Sequence, residues 1–194
     1  MTFATQVTVT RIILVPVFAV LAIAYGRSVG HGQPHDALRW AALAVFVTAA
    51  ASDGLDGWIA RRFNQRSKLG AFLDPLADKV LMLTSVTTLW LVGWGTGDWH
   101  IPWWFASLVI LRDVIILSGI RVLQVARCEI QFVPHWTGKA STFFQMFALG
   151  WVMLKVVPFS PVYPALVASL FTVLSMVEYI RQGIHLLRGP RLAA

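Results

Sequence analysis

Long apolar stretches alternate with short polar segments along this chain. The apolar stretches fall at about 7–26, 38–60, 71–94, 103–125, 140–157 and 161–181. Each is close to the roughly 20 residues that an α-helix needs to cross the hydrocarbon core of a bilayer. The segments between them carry glycine, proline and charged residues, which end helices and form turns. The pattern predicts an all-α integral membrane protein with six transmembrane helices, in a single domain over residues 1–194.

Composition favours a lipid-facing surface over one compact soluble core. Hydrophobic residues make up 57% of the chain and charged residues 13%, against about 45–50% and about 25% in an average soluble domain. Trp94, Trp99, Trp103 and Trp104 lie near one boundary between stretches, where an aromatic belt at the membrane interface is expected. The single cysteine, Cys128, excludes an internal disulfide. This composition argues against a soluble globular protein and excludes intrinsic disorder.

The basic residues predict the orientation of the chain. A formal net charge of +7 would suggest nucleic-acid binding in a soluble protein, but cations that flank apolar spans normally set topology. We therefore expect no nucleic-acid partner. With both termini inside, only Arg27, Arg39 and Lys155 among the loop cations fall outside. The positive-inside rule thus predicts cytoplasmic termini and a cytoplasmic segment at 61–70. We expect the membrane to be a bacterial inner membrane.

Four of the nine acidic residues lie between positions 53 and 78, within two apolar stretches. Asp53 and Asp56 are three apart in the second stretch, and Asp74 and Asp78 are four apart in the third. On a helix, both spacings place the two carboxylates on one face. A charged group in a span costs at least about 2.5–3.5 kcal/mol, so such residues rarely persist without a purpose. Because the connection at 61–70 is short, the two acidic faces are expected to meet near the cytoplasmic surface.

Carboxylates that converge in this way require cations to stay ionised together. Hard divalent ions such as Mg²⁺ or Mn²⁺ suit oxygen ligands, whereas the five histidines that Zn²⁺ would favour are dispersed. Two ions held by shared carboxylates can clamp phosphate oxygens. Gly57 and Ala60 leave the adjoining helix face small, and Arg61 adds positive charge at its mouth. Ordinary helix packing and membrane topology are the alternative explanations for these three residues.

Some local questions stay open from the sequence. Pro75 either occupies the first position of a helix, with Asp74 as its N-cap, or lies inside a longer helix. Lys79 either pairs with a neighbouring aspartate or contacts a substrate phosphate. Glu178 fits a paired or snorkelling residue better than a ligand.

The acidic region has a specific pattern of residues. It runs Asp-x-x-Asp-Gly-x-x-Ala-Arg at 53–61, then eight residues, then Gly-x-x-x-Asp-x-x-x-Asp at 70–78. At every defined position this resembles the signature of the CDP-alcohol phosphatidyltransferase family. Thr8-x-x-Arg11 resembles the family's first helix, and Gly-Lys-x-x-Thr-x-x-Gln at 138–145 resembles its fifth.

The resemblance implies a six-helix membrane enzyme, commonly a homodimer, that transfers a substituted phosphate group from a CDP-alcohol to an acceptor hydroxyl and releases CMP. It implies that two Mg²⁺ or Mn²⁺ ions are bound by Asp53, Asp56, Asp74 and Asp78. Asp78 would also act as general base on the acceptor. The implied CDP-binding residues are Asp56, Gly57, Ala60, Arg61 and Gly70.

The acceptor is harder to identify from the sequence. A phosphorylated acceptor such as glycerol 3-phosphate is favoured by a set of residues that could hold a second phosphate: Arg11, Arg112, Arg121, Lys139 and Thr142. The segment 70–79 resembles the family branches that make phosphatidylglycerophosphate and cardiolipin. We expect transfer of a phosphatidyl group from CDP-diacylglycerol to glycerol 3-phosphate. Thr5 and the Arg112-Asp113 pair depart from the phosphatidylglycerophosphate branch. The Arg112-Asp113 pair looks more like the cardiolipin branch, in which phosphatidylglycerol is the acceptor.

Two alternatives accompany this interpretation. Arg112 and Asp113 can instead form a charge pair that stabilises the fourth helix. The whole chain can instead be a small cation transporter, which would also explain buried acids and six spans. A transporter predicts acids spread through the membrane depth and often repeated halves, whereas the four aspartates cluster at one end of their helices.

Overall fold

The computed structural model describes the backbone of residues 3–63, 68–95, 99–126, 136–155 and 159–188. Side chains are described for residues 10–52, 77–95, 99–123, 125–126, 136–155 and 159–187. Within these ranges the chain forms the helices α1 (Phe3–Gly30), α2 (Asp36–Phe63), α3 (Lys68–Val92), α4 (Trp103–Val125), α5 (Trp136–Leu154) and α6 (Val162–Arg188). The prediction of an all-α protein is confirmed.

Most of the helices extend past the apolar stretches that predict them. α2 begins at Asp36, an acidic residue suited to the first turn of a helix. α3 begins at Lys68 and continues through position 75. Of the two alternatives for Pro75, the structure therefore has the proline inside a longer helix. Polar residues form the additional turns at these helix ends. The backbone hydrogen bonds of a helix continue there although the apolar segment has ended.

One compact unit comprises Met1–Ile101 and Leu149–Ser160. In it α1 packs against both α2 and α3, and α2 also contacts α3. Phe18 of α1 and Phe46 of α2 are buried, with ring centroids 5.8 Å apart. Buried alanines such as Ala22 and Ala49 let the helices approach closely. This unit contains the helices that carry the four motif aspartates.

Trp94, directly after α3, belongs to the core of this unit. It is fully buried, its indole Nε1 donates a hydrogen bond to the carbonyl oxygen of Ala22 at 3.2 Å, and its ring meets Tyr25 edge-on. Gly93, at φ 64°, allows the sharp turn that brings the indole back over α1. The prediction that Trp94 belongs to an interfacial belt is therefore wrong, because packing against α1 outweighs the interfacial preference of the ring.

A second compact unit comprises Pro102–Ala148 and Pro161–Ala194. Here α4 packs against α6, and a polar seam of Ser141, Gln145 and Thr172 joins α5 to α6. The Gln145 amide donates to both hydroxyls, at 3.2 Å to Ser141 and 2.8 Å to Thr172, and the two hydroxyls lie 3.1 Å apart. All three residues are buried. Such interhelical hydrogen bonds are typical of helices packed in a membrane.

Two of the described helices are long and apolar enough to cross a membrane, at Thr10–Gly30 and Val162–Leu187. Many large apolar side chains on these helices are exposed, Val20 and Leu170 among them. Exposed apolar surface of this extent marks contact with lipid or with another protein. Six crossings and the single domain over residues 1–194 stay predictions.

Candidate active site

The acidic motif is carried by two helices that contact each other. Positions 53, 56, 57, 60 and 61 lie in α2, and positions 70, 74 and 78 lie in α3. The described side chains do not include those of seven motif positions: Asp53, Asp56, Gly57, Ala60, Arg61, Gly70 and Asp74. The backbone is helical at each of these positions, so the spacings of three and four residues place each aspartate pair on one helix face.

Asp78 and Lys79 are the motif-region residues whose side chains are described. Both are half-buried on α3, next to the buried Ala77. A half-buried carboxylate suits a group that must meet a substrate hydroxyl, because it is partly shielded from water and still accessible. The position of Asp78 is thus compatible with its predicted role as general base.

A buried arginine lies against the helix that carries the first motif aspartates. Arg11 of α1 is only 1% exposed, and its Nε donates a hydrogen bond to the Ser52 hydroxyl at 3.4 Å. The Ser52 hydroxyl in turn donates to the carbonyl oxygen of Ala49 at 2.8 Å. Since Ser52 directly precedes Asp53, the contact brings a buried positive charge beside the start of the motif. The sequence pattern did not identify Ser52 as a site residue. Its position directly before Asp53 is the feature that could have indicated it.

A second buried arginine lies in α4. Arg112 and Asp113 form an ion pair with 3.2 Å between Nη1 and Oδ1, and their side chains are only 8% and 5% exposed. The charge pair considered for α4 is therefore present. It does not use every donor of the guanidinium, because the buried Nε of Arg112 has no hydrogen-bond partner among the described residues. A buried N–H of this kind is costly unless a ligand or water completes it.

The remaining residues predicted to bind the acceptor differ in exposure. Arg121 of α4 and Lys139 of α5 are exposed, and Thr142 is half-buried. The Thr142 hydroxyl donates to the carbonyl oxygen of Gly138 at 3.2 Å. These residues and Arg112 belong to the second compact unit, whereas Arg11 and Asp78 belong to the first.

Glu178 of α6 has a partner near the beginning of α5. The Thr137 hydroxyl donates a hydrogen bond to its carboxylate. One residue further on, a Cβ added at Gly138 would lie 3.4 Å from the Tyr179 hydroxyl, so α5 begins tightly against α6. Of the paired and snorkelling alternatives for Glu178, the structure has the paired one. This contact fixes the backbone next to Lys139.

The donor chemistry of the motif fits hard divalent cations. Its four acidic residues are all aspartates, which offer only oxygen, and they lie on two helices in contact. Mg²⁺ and Mn²⁺ prefer such donors. On this chemistry, Asp53, Asp56, Asp74 and Asp78 are suited to hold the metal.

Comparisons with known proteins agree with the motif. The family model described as CDP-alcohol phosphatidyltransferase matches residues 1–180. A Mycobacterium tuberculosis protein named a probable phosphatidylglycerophosphate synthase is 35% identical over 198 residues, covering 98% of this chain and 86% of its own. An Escherichia coli K12 protein named CDP-diacylglycerol–glycerol-3-phosphate 3-phosphatidyltransferase is 31% identical over 182 residues, covering 91% of each chain.

Proposed function

Because the chain belongs to the CDP-alcohol phosphatidyltransferase family, we propose that it transfers the phosphatidyl group of CDP-diacylglycerol to glycerol 3-phosphate. The products are phosphatidylglycerophosphate and CMP. Family membership confirms the prediction, made from the motif at 53–78, that the chain is a phosphatidyltransferase. The names of the mycobacterial and Escherichia coli relatives support the choice of glycerol 3-phosphate.

The motif aspartates supply the donor half of the site. Asp53, Asp56, Asp74 and Asp78 would hold two Mg²⁺ or Mn²⁺ ions, which when bound would offset charge on the pyrophosphate and on the departing CMP. Gly57, Ala60 and Gly70 allow the nucleotide to approach the helix backbones, and Asp56 and Arg61 bind it. The contact between α2 and α3 supports this assignment, because it brings the two halves of the motif to one pair of helices.

Asp78 is the base in the transfer step. The acceptor hydroxyl oxygen forms a bond to the phosphorus that carries diacylglycerol, the bond from that phosphorus to the CMP phosphate oxygen breaks, and the hydroxyl proton passes to the Asp78 carboxylate. The half-buried position of Asp78 on α3 supports this role. The motif segments 53–61 and 70–78 contain no serine, cysteine or histidine that could act as a covalent nucleophile, which supports direct transfer.

The observation that carries the acceptor assignment is the unused donor of Arg112. Its guanidinium is neutralised in part by Asp113 and keeps a buried N–H at Nε without a partner among the described residues. The phosphate of glycerol 3-phosphate supplies the oxygen that this N–H lacks, in a charge-assisted hydrogen bond. Further contacts to the acceptor are assigned to Arg11, Arg121, Lys139 and Thr142.

The membrane arrangement belongs to the same proposal. All six helices cross the bilayer, both termini lie in the cytoplasm, and the motif opens to the cytoplasmic face of a bacterial inner membrane as part of a homodimer. The two helices that are apolar enough to span and the distribution of lysine and arginine support this arrangement.

The experiment measures CMP release by the purified protein in detergent with CDP-diacylglycerol. Glycerol 3-phosphate and phosphatidylglycerol are compared as acceptors, with Mg²⁺, with Mn²⁺ and after chelation. We expect release that requires glycerol 3-phosphate and a divalent ion. Release that requires phosphatidylglycerol would instead make the protein a cardiolipin synthase. If folded and metal-loaded protein releases no CMP with either acceptor, the proposed function is refuted.

Asp36→Asn is the matched control for substitutions in the motif. Asp36 is an exposed aspartate of α2 whose ion pair with Arg39, at 3.2 Å, lies at the opposite end of the helix from the motif. Exposed pairs contribute about 0–1 kcal/mol, so this variant is expected to fold and to retain activity. Loss of activity in this control would show that general damage to α2, rather than the motif, is being measured.

A further inference from the structure

A groove runs between the C-terminal halves of α4 and α6 in the second compact unit. It encloses about 280 Å³ and is lined almost entirely by carbon, from Ile116, Gly119, Val122, Ile180, Gly183 and Ile184 among others. Its residues span 115–123 on α4 and 179–187 on α6, which corresponds to about 12 Å along each helix.

Two glycines keep this groove open. A Cβ added at Gly119 or at Gly183 would meet nothing within 4 Å. At Gly26, in contrast, a Cβ would lie 2.2 Å from Val92 Cγ1, because there two helices use the glycine to approach each other. Gly119 and Gly183 therefore do not serve close packing, and the missing side chains leave a channel that an outside group can enter.

The surroundings of the groove indicate what enters it. One wall is α6, a helix long and apolar enough to cross a membrane. Along such a helix, lipid is the apolar molecule available to enter an open groove. The exposed Arg121 lies beside the groove, where with Val122, Val125 and Ala126 it lines a second hollow of about 380 Å³. Val122 borders both spaces. A cation next to a long apolar channel complements a molecule with one negative group and one hydrocarbon chain.

We propose that the groove binds one acyl chain of an anionic glycerophospholipid, with Arg121 on the phosphate of its headgroup. The volume is slightly below the roughly 300–1,000 Å³ of pockets that take whole drug-sized ligands, so it holds part of one chain rather than a headgroup. Arginine suits the phosphate because its guanidinium donates two parallel hydrogen bonds. This site shares Arg121 with the residues proposed to bind the acceptor, so its headgroup part rests on the proposed function, whereas the acyl-chain groove contains none of those residues.

The test uses phosphatidylglycerol with a diazirine in the middle of one acyl chain, added to the full-length protein in detergent micelles. After illumination, the labelled positions are mapped by proteolysis and mass spectrometry. We expect label at 115–123 and 179–187. Label distributed evenly over the apolar surface of all helices would overturn the proposal.

Filling the groove provides the second measurement. In Gly119→Leu and Gly183→Leu, the new side chain displaces roughly two methylene groups of the lipid chain, which lowers labelling of the groove about tenfold. Gly150→Leu is the control, because Gly150 also lies in a helix with nothing within 4 Å of an added Cβ and does not line the groove. The corresponding alanine variants fill less space and are expected to give intermediate labelling even if a leucine variant does not fold.

The headgroup is tested with Arg121→Gln and with phosphatidylcholine carrying the same diazirine chain. We expect the substitution to lower labelling by phosphatidylglycerol severalfold. Labelling by phosphatidylcholine is expected to fall less, because its choline ammonium already offsets the charge of the phosphate. Equal labelling by both lipids, insensitive to the substitution, would overturn the role of Arg121. Crosslinks between two protein chains through 115–123, lost in the leucine variants, would show that a second copy occupies the groove and would also overturn the proposal.

Discussion

Arg112 offers a direct test of the proposed acceptor site, because variants of Arg112 and its partner Asp113 together separate acceptor binding from stability. The substitution Arg112→Gln removes a guanidinium that is 8% exposed and paired with Asp113 at 3.2 Å. A hydrogen bond from a charged group to phosphate contributes about 1.5–3 kcal/mol. At 1.4 kcal/mol per factor of ten, this corresponds to a rise of roughly 10- to 150-fold in KM for glycerol 3-phosphate.

The stability of this variant must be handled separately. Removal of one partner of a buried ion pair costs about 3–5 kcal/mol, because the other charge stays buried. The double variant Arg112→Gln/Asp113→Asn removes both charges and is expected to recover most of that stability. It is not expected to recover the KM, since the guanidinium is still missing. Asp113→Asn alone keeps the cation, so it is expected to lower stability while KM for the acceptor changes little.

The assay is CMP release as a function of glycerol 3-phosphate concentration at saturating CDP-diacylglycerol, together with thermal unfolding in the same detergent. KM for CDP-diacylglycerol serves as the internal reference and is expected to stay within about twofold. If the folded double variant keeps the wild-type KM for glycerol 3-phosphate, Arg112 does not bind the acceptor phosphate. The role assigned to its unused Nε would then be wrong.

Three further substitutions test the site and its supporting framework. Asp78→Asn is expected to lower kcat by about 10²- to 10⁴-fold, as for loss of a general base. Binding of CDP-diacylglycerol, measured in a filtration assay, is expected to be retained. Full activity of this variant would contradict the role of Asp78. Gly26→Ala places a Cβ 2.2 Å from Val92 Cγ1 and 3.0 Å from a backbone oxygen, so thermal unfolding should reveal a loss of about 1–3 kcal/mol. Gly30→Ala, with nothing within 4 Å, is its control and should be neutral or slightly stabilising. Gln145→Leu removes two hydrogen bonds of the polar seam, and unfolding in mixed micelles should show a loss of about 1 kcal/mol; a loss above about 3 kcal/mol would mean that the seam matters more than its contacts indicate.

The sequence predicts helices well in this chain because each is encoded locally. The apolar stretch at 103–125 coincides with α4 (Trp103–Val125). The helix ends are predicted less well where polar residues continue the helix. α5 begins at Trp136, four residues before the predicted start at 140, since Thr137 and Gly138 are held against α6 by contacts from distant residues.

The sequence predicts the part of the candidate site that depends on the spacing of residues along a helix. The family signature at 53–78 places the aspartates on two helices, and α2 and α3 do contact each other. The contact of Arg11 with Ser52, 41 residues away, and that of Trp94 with Ala22, 72 residues away, arise from tertiary packing. No local pattern encodes such contacts. The sequence does not reveal the unused N–H of Arg112 either, because that N–H depends on which guanidinium nitrogen pairs with the Asp113 carboxylate.

The polar seam between α5 and α6 has a consequence for biogenesis. The hydrogen bond from Gln145 to Thr172 and the contact between the Ser141 and Thr172 hydroxyls form only when both helices are present. If α5 entered the bilayer alone, part of the Gln145 amide would lack its partner in hydrocarbon, where each unsatisfied polar group costs several kcal/mol. Retention of α5 at the insertion machinery until α6 has been synthesised avoids that cost. In the proposed arrangement of six crossings, the two helices are therefore expected to enter the membrane together, as a preassembled hairpin.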